Sequence, residues 1–225
     1  MDTRLLKTIP IFSALDEEDL ERIATLCVRK TCAPNQVILV EEESGQSLFI
    51  IKRGSVKVSH VSDEGREVIL SILNAGEFFG EMALLDGKGR SANVTALVET
   101  ELLMLRRADF LSLLEDYPQI SIALLRELAG RIRMSDSHIS TLSLKDALGR
   151  VAMALIHVAE KTGRPRGQEM VIPKLPIQQD LANMAGTARE TISRALGHFE
   201  ELGYLHREGH RVVIKDFQLF KRAFT

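Results

Sequence analysis

Cysteine is scarce in this chain of 225 residues, which contains only Cys27 and Cys32. An iron–sulfur cluster or a zinc site with four thiolate ligands is therefore excluded by number alone. A disulfide is not expected either, because such bonds rarely persist in the cytosol. We interpret both cysteines as residues of the core or the surface, without metal or redox chemistry.

Long apolar runs are missing as well. The sequence has no stretch of about 18 consecutive apolar residues, the length that a membrane-spanning helix needs. Residues 1–19 lack the apolar centre of a signal peptide, so we expect a cytoplasmic protein of bacterial type. No nucleophile–base pair, metal-ligand set or cofactor loop stands out, and we therefore predict that the protein is not an enzyme and holds no metal.

An excess of charge of one sign is also absent. The formal net charge is −2, so the chain as a whole does not resemble a nucleic-acid binder. Hydrophobic residues make up 45% and charged residues 27% of the sequence, as in ordinary globular proteins with a substantial core. The bulk charge is thus a weak guide to partners, and local motifs carry the functional argument.

Short β-type segments follow one another in the first half of the chain. They are separated by glycines or polar turns, a spacing that predicts an antiparallel barrel or sandwich. Gly54 lies between two of these segments, where it suggests a hairpin turn. A short amphipathic helix, Asp16–Cys27, precedes them and has acids in its first turn. The segments are VILV, SLFIIKR, SVKVSHV, REVILSIL, ANVTALV and ELLMLR.

A long helix is predicted from Gln119 to about Leu144, after a shorter helix that stops at Pro118. Six of its residues are spaced alternately three and four apart, which is the heptad seam of a coiled coil. We expect a parallel homodimer along this seam; the alternative is a helix that packs on the core of its own domain. Ser135 is the polar member, and polar seam residues often fix register or contact a ligand. The seam consists of Leu125, Leu128, Ile132, Ser135, Ile139 and Leu142.

A second domain is predicted after the long helix. Asp146 suits the N-cap of a further helix, Ala147–Lys161, and residues 143–146 are the expected hinge. Residues 162–170 are interpreted as a loop. The predicted domains are the β-rich domain (1–117), the dimerisation helix (118–144) and the C-terminal domain (145–225).

Two short helices follow in the C-terminal domain, Gln178–Met184 and Thr187–Phe199. Gly186 suits the left-handed residue that ends the first helix, and T-x-x-E from Thr187 to Glu190 is a capping box for the second. The pair has one apolar face, whereas charged side chains lie outward at the start of the second helix. This is the pattern of a helix-turn-helix, whose second helix carries base-reading side chains in its first turns.

The outward side chains suit DNA bases. Arginine reads guanine through two hydrogen bonds, and glutamate accepts from cytosine. The following segment is typical of a β-hairpin wing with its turn at Gly209, which would place cations at backbone phosphates. The alternative is a helical hairpin with a solvated charged face, in which Glu190 merely caps the helix. The predicted DNA-binding residues are Gln179, Thr187, Arg189, Glu190, Ser193, Arg194, His210 and Arg211.

The segment FFGEMALLDGKGRSANV (residues 78–94), the heptad helix and the reader ARETISRAL together resemble the CRP/FNR superfamily, the bacterial cyclic-AMP receptor and fumarate–nitrate regulator transcription factors. The resemblance covers essentially the whole chain. It implies an α+β fold with an N-terminal cyclic-nucleotide-binding β-roll (jelly roll), a long dimerisation helix and a C-terminal winged helix-turn-helix. It also implies a homodimer on a palindromic DNA site with half-sites resembling TGTGA, and RNA polymerase as protein partner.

The resemblance assigns the segment to a cyclic nucleotide. The helix start offers N–H groups to the phosphate, and Gly80 permits close approach of the backbone. Arg90 would bind the phosphate oxygens, Ser91 would add a hydroxyl, and Glu81 would accept from the ribose 2′-hydroxyl. An internal Glu81–Arg90 ion pair without a ligand is the alternative. The predicted ligand-binding residues are Gly80, Glu81, Met82, Ala83, Arg90, Ser91, Ser135 and Asp136.

The base contact falls on the long helix. Two consecutive hydroxyl residues of the family's cyclic-AMP receptors correspond to Ser135 and Asp136, so a carboxylate replaces one hydroxyl here. Cyclic AMP is the first expectation, and cyclic GMP and cyclic di-GMP are the alternatives. An oxygen-sensing iron–sulfur cluster would need a set of N-terminal cysteines, which is absent. A haem would need a protein ligand in the β-rich domain, and His60 is the only histidine before the long helix.

Two functional alternatives stay open beside this interpretation. One is the same DNA-binding dimer acting without a ligand. The other, from a different class, is a cyclic-nucleotide-binding regulatory subunit of the kinase or channel type. The reader helix argues against the second, because such a subunit has no use for outward arginines at the start of a helix-turn-helix.

Overall fold

The structure is a computed structural model that describes residues 3–224. The chain forms two compact units, which meet in sequence between Met134 and Ser135. The order of elements is a β-rich region, a long helix and a helix-turn-helix region with a β-hairpin, which confirms the predicted fold class. The domain limits at residues 117/118 and 144/145 stay a prediction.

Helices flank the strands of the first unit. They are α1 (Thr3–Thr8), a 3₁₀ turn (Pro10–Phe12), α2 (Glu17–Leu26), α3 (Met82–Asp86), α4 (Arg107–Asp116) and α5 (Pro118–Leu144), whose last residues belong to the second unit. The strands are β1 (Val28–Cys32), β2 (Val37–Leu39), β3 (Ser47–Arg53), β4 (Ser55–Val61), β5 (Glu67–Asn74), β6 (Phe78–Phe79), β7 (Asn93–Ala96) and β8 (Thr100–Arg106). Asp16 caps α2 by accepting from the backbone N of Asp19 at 2.9 Å.

The strands form two antiparallel sheets, ordered β1-β8-β3-β6 and β2-β7-β4-β5. Strand β3 is apolar on both faces because both faces are covered. Leu48 and Ile50 share a core cluster with residues of α2 and α4, whereas Phe49 and Ile51 share one with residues of β4 and β7. Successive residues of a strand point to opposite faces, so one strand serves both clusters.

Gly54 does not form the predicted hairpin turn. The strands on either side of it, β3 and β4, belong to different sheets, so the chain turns a corner between the sheets there. Gly54 has a φ of +96°, and a Cβ at this residue would lie 2.5 Å from Thr100 Oγ1. The backbone angle and the close approach both require glycine. The prediction that β3 pairs with the next strand, β4, is therefore wrong; β3 pairs with β8 and β6.

Both cysteines are buried and free, and they lie in different clusters of the core. Burial raises the pKa of the Cys27 thiol to about 11, with a further contribution from Asp109. A protonated, inaccessible thiol is not reactive. Within residues 3–224, no group of three or more histidine, cysteine and acidic side chains could hold a metal ion.

The heptad seam of α5 is largely uncovered in the single chain. Leu125, Ile132, Ile139 and Leu142 are exposed, whereas Leu128 packs partly against the core of the first unit. Apolar residues repeated along one helix face normally have a partner. No helix in the described part of the chain is long and apolar enough to cross a membrane.

The second unit contains a four-stranded sheet, ordered β11-β12-β10-β9, and helices around it. Asp146 caps the first of these helices by accepting from the backbone N of Gly149 at 2.8 Å, as predicted. The elements are α6 (Ala147–Thr162), β9 (Arg164–Arg166), β10 (Glu169–Ile172), α7 (Gln178–Ala185), α8 (Arg189–Glu201), β11 (Leu205–Glu208), β12 (Arg211–Ile214) and α9 (Phe217–Phe224).

Two features of this unit were not predicted. Residues 162–170 include strand β9 and the first half of β10 rather than only a loop. Helix α9 adds Phe220 and Phe224 to an aromatic cluster with Phe199 and Tyr204, with ring centroids 5.0 to 5.7 Å apart. The cluster packs the C-terminal end of α8 against the rest of the unit.

Candidate functional site

The glycine-rich segment after β6 closes around one arginine side chain. Gly80 has a φ of +87°, and a Cβ there would lie 2.8 Å from Arg90 Nη1 and 3.1 Å from the Ser47 carbonyl oxygen. A Cβ on Gly45 would lie 2.6 Å from the Ala83 Cβ and 3.0 Å from Arg90 Cζ. Two glycines therefore make room for the guanidinium, because any side chain at either position would collide with it or its neighbours.

Arg90 is buried, with 6% of its surface exposed. Its Nη1 donates to the Gly80 carbonyl at 2.8 Å, and its Nη2 donates to the Ser47 carbonyl at 2.9 Å. Burial lowers the pKa of Arg90, and the nearby Glu81 carboxylate opposes that effect. An arginine stays protonated under these conditions. Within residues 3–224 it forms no ion pair, so its hydrogen bonds go to carbonyl oxygens while the Glu81 carboxylate acts on its charge only from a distance.

Glu81, the residue after Gly80, is also buried and is only 2% exposed. Its Oε1 accepts from Arg131 Nη1 at 2.9 Å. Arg131 also donates from Nη2 to the Phe78 carbonyl at 2.7 Å, and its guanidinium carbon lies 4.8 Å from the centre of the Phe78 ring. The carboxylate is therefore balanced by a residue of α5, which differs from the alternative of a Glu81–Arg90 ion pair.

Arg131 was missed by the sequence analysis. A buried carboxylate requires a cation, but α5 also carries Arg126 and Arg133 close to the seam residue Ile132. Only the docking of α5 on the first unit selects among them. From the sequence one could have inferred that a buried Glu81 requires a cationic partner. The sequence does not identify which arginine of α5 is that partner.

The other predicted ligand residues have mixed environments. Met82 begins α3 and is 49% exposed, whereas Ala83 is buried. The Ser91 hydroxyl is exposed and lies 3.5 Å from the Met82 sulfur. Ser135 and Asp136 belong to the second unit, where both are exposed on α5. Their participation in the ligand site stays a prediction.

The turn between α7 and α8 corrects the predicted capping box. The backbone N–H groups of Gly186 and Thr187 both donate to the Ala182 carbonyl, and Gly186 has a φ of +56°. The N-cap of α8 is Ala188, which makes no side-chain capping bond. Thr187 therefore closes the end of α7 rather than opening α8, and a capping box with Glu190 is not formed.

Helix α8 has the two faces that the sequence predicted. Its buried residues are Ile192, Ala195, Leu196 and Phe199. The exposed residues of its first two turns are Arg189, Glu190, Ser193 and Arg194. Arg189 Nε donates to Gln178 Oε1 at 3.4 Å, and the exposed Gln179 donates to Asn183 Oδ1 at 2.9 Å. The outward set is thus available to a ligand, whereas the inward set fixes the helix.

The hairpin β11–β12 forms the predicted wing, and its turn residue Gly209 has a φ of +63°. His210 is exposed at the tip. Arg211 Nη1 lies 3.3 Å from Glu208 Oε2, whereas Arg211 Nε is buried and has no hydrogen-bond partner in the described residues. The guanidinium of Arg211 is thus incompletely satisfied at the wing.

Two protein-family models match the chain, one within each compact unit. The model described as a cyclic nucleotide-binding domain matches residues 29–117, and the one described as a Crp-like helix-turn-helix domain matches residues 149–223. A nucleotide-binding domain followed by such a reader defines a class of transcription regulators, not of enzymes, in agreement with the prediction.

Curated relatives and a solved structure agree. The chain is 32% identical over 216 residues to the cyclic AMP receptor protein of Thermus thermophilus, covering 96% of this chain and 97% of the relative. It is 32% identical over 185 residues to the CRP-like cAMP-activated global transcriptional regulator of Mycobacterium tuberculosis, covering 82% and 83%. A CooA mutant from Carboxydothermus hydrogenoformans has the same fold, with a TM-score of 0.82, 24% identity and coverage of 100% and 97%. The chain belongs to the CRP/FNR family.

Replacing Arg131 with methionine should destabilise the chain. The substitution leaves the Glu81 carboxylate buried without a cation, and breaking a buried pair in this way costs about 3 kcal/mol. Urea unfolding followed by circular dichroism measures the change. Arg133→Met, an exposed position two residues further along α5, is the matched control and should change stability by less than about 0.5 kcal/mol. The double variant Glu81→Gln/Arg131→Met should lose less than Arg131→Met; equal losses in Arg131→Met and the control would contradict the pairing.

Proposed function

We propose that this chain is a homodimeric, sequence-specific transcription regulator that a cyclic nucleotide, in the first place cyclic AMP, controls allosterically. The nucleotide part rests on Arg90, a buried guanidinium that bonds to carbonyl oxygens and forms no ion pair in the described chain. Carbonyls satisfy N–H groups without neutralising a charge, and buried charges normally have a counter-ion. A phosphate is one of the two anions, with carboxylate, that the planar guanidinium fork binds through paired hydrogen bonds.

The surroundings of Arg90 fit a cyclic nucleotide. Glu81 forms its ion pair with Arg131 and not with Arg90. The positive charge of Arg90 is therefore left to attract a phosphate. Arg131 binds Oε1 of Glu81, which leaves Oε2 to accept from the ribose 2′-hydroxyl. The N–H groups from Gly80 to Ala83 and the exposed Ser91 hydroxyl would bind the phosphate oxygens. Sugar and phosphate contacts then come from one short segment of the chain.

The identity of the base depends on Ser135 and Asp136. The relatives from Mycobacterium tuberculosis and Thermus thermophilus are named for cyclic AMP, which favours cyclic AMP over the other cyclic nucleotides. A carboxylate at Asp136 could accept from the adenine amino group, or with both oxygens from the N1–H and N2–H₂ groups of guanine. Cyclic GMP and cyclic di-GMP are therefore the alternatives, and we propose no metal.

The DNA part rests on the outward face of α8. Arg189, Glu190 and Arg194 would read base edges in the major groove, and the polar neighbours Gln179, Thr187 and Ser193 would support them. His210 and Arg211 would contact phosphates from the wing. In a dimer formed along the exposed seam of α5, the two recognition helices would fit a palindrome at a spacing of about 34 Å. RNA polymerase is the proposed protein partner.

Ligand control would act through α5 in this proposal. The domains are then residues 1–117, 118–144 and 145–225, and the chain around residues 143–146 is the hinge. A nucleotide that contacts the helix at Ser135 would favour one arrangement of the two helices over the other. The reader domains would follow that change, and DNA affinity would depend on the nucleotide.

Replacing Arg90 with alanine should weaken cyclic-nucleotide binding by about 100-fold, because a buried charged hydrogen-bond partner of the phosphate is lost. Isothermal titration calorimetry with cyclic AMP, cyclic GMP and cyclic di-GMP measures the effect and identifies the ligand. Lys88→Ala removes an exposed cation from the same loop and is the control. An unchanged affinity in Arg90→Ala would refute the proposed site, and binding of no nucleotide by the unaltered dimer would favour the ligand-independent alternative.

Replacing Asp136 with serine should shift selectivity towards cyclic AMP by about tenfold, because it restores a hydroxyl and removes an acceptor suited to guanine. The ratio of the two dissociation constants, for cyclic AMP and cyclic GMP, is the measurement. Ser137→Ala, an exposed neighbour on α5, should leave the ratio unchanged. A constant ratio in Asp136→Ser would show that this side chain does not contact the base.

Replacing Glu190 with alanine should relax specificity at one base pair of each half-site, where a wrong base normally costs about 1–3 kcal/mol. Binding to a set of duplexes with single substitutions in TGTGA half-sites measures it. His198→Ala, an exposed position further along α8, is the control. A uniform loss of affinity across all duplexes would instead indicate that Glu190 supports the helix and reads no base.

A further inference from the structure

A dense ionic contact joins the recognition helix to the wing. Glu200, in the last turn of α8, accepts three hydrogen bonds from Arg207 of β11. The backbone N of Arg207 donates to Oε1 at 3.0 Å, Nε donates to Oε2 at 2.9 Å, and Nη2 also donates to Oε2. One carboxylate thus fixes both the main chain and the side chain of a wing residue.

The electrostatics of the two groups agree with this geometry. The hydrogen bond from Arg207 holds the pKa of Glu200 below its ordinary value, and Glu200 in turn raises the pKa of Arg207. The two side chains are 29% and 35% exposed, so solvent screens them only in part. Arg207 is therefore neutralised within the protein and is not a free cation for a phosphate.

The contact lies beyond the turn that connects the two elements. The turn itself is closed at Gly203 and Tyr204, whose N–H groups donate to the Glu200 and Phe199 carbonyls. Arg207 comes three residues after Tyr204, and its neighbour Glu208 is paired in register with Arg211 of β12. The turn fixes where β11 starts, whereas the Glu200–Arg207 contact fixes the direction in which the hairpin leaves α8.

We propose that Glu200 and Arg207 form a latch that sets the wing relative to the recognition helix, so that base reading by α8 and phosphate contacts by the wing occur together. Glu200 is then a positioning residue for DNA binding. This inference rests on the proposed phosphate contacts of His210 and Arg211. An acid near DNA ordinarily repels phosphates, so the latch assigns Glu200 an effect opposite in sign to the one its charge alone would have.

The test compares Glu200→Ala with Glu201→Ala. Glu201 is adjacent, and its side chain is 81% exposed, so its removal changes the charge equally without touching the latch. Affinity for a duplex with inverted TGTGA half-sites is measured with saturating cyclic AMP over a range of salt concentrations. Glu200→Ala should weaken binding about threefold to tenfold and lower the salt slope by about one per subunit. Glu201→Ala should keep or improve the affinity.

Double variants separate the latch from a general loss of structure. Glu200→Ala added to the pair His210→Ala/Arg211→Ala should weaken binding no further, because the latch acts through those same phosphate contacts. Glu200→Ala should also keep the base preference that Glu190→Ala loses. Arg207→Ala should behave as Glu200→Ala does, whereas Glu200→Gln, which keeps one of the two acceptor oxygens, should lose less.

Opposite results would overturn the inference in distinguishable ways. If Glu200→Ala binds more tightly with a steeper salt slope, Arg207 is a phosphate ligand that Glu200 restrains, and the latch is wrong. If Arg211→Ala lowers the slope but Glu200→Ala does not, the wing contacts hold and the latch fails. If His210→Ala and Arg211→Ala leave the slope unchanged, the proposed wing contacts fail and the latch fails with them.

Discussion

The burial of the Arg90 guanidinium is the constraint from which the rest of the nucleotide-binding region follows. A cation that forms no ion pair within the described residues must be held by dipoles, and the carbonyls of Gly80 and Ser47 supply them. That arrangement is possible only where the backbone comes close, which explains glycine at positions 45 and 80. The positive φ of Gly80 then turns the chain into α3. One side chain thus fixes the course of the whole loop.

The second consequence concerns the long helix. Because Arg90 does not neutralise Glu81, the carboxylate takes its cation from α5, and Arg131 stacks on Phe78 while it does so. The next residue, Ile132, is an exposed member of the heptad seam. Arg131, which pairs with Glu81, and the seam residue Ile132 are therefore adjacent on the same helix. A change at Glu81 and a change at the seam act on the same turn of helix.

In the C-terminal unit, the residues that fix helix α8 in place differ from the residues that face outward and are proposed to contact DNA. Apolar residues of α8 pack inward, the aromatic cluster with Phe220 and Phe224 fixes its end, and Glu200 binds the wing strand. The first two turns of α8 carry no buried polar residue and present their charged side chains outward. A recognition helix needs this division, because base-reading side chains must be free while the helix axis stays fixed.

Features that depend only on residues close together in the chain could be predicted from the sequence. Capping by Asp146 and the two faces of α8 depend on residue types and spacing along one element, so the sequence pattern predicted them. The segment around Arg90 (residues 78–94) was identified by its resemblance to the family. Only the structure decided the partner of Glu81, the corner at Gly54 and the role of Thr187, which closes α7 instead of capping α8. The first two depend on which distant segments meet in space, which spacing along the chain does not specify. The third is local: the Thr187 N–H bonds to the Ala182 carbonyl at the end of α7, and a capping box was an equally simple use of the same residue.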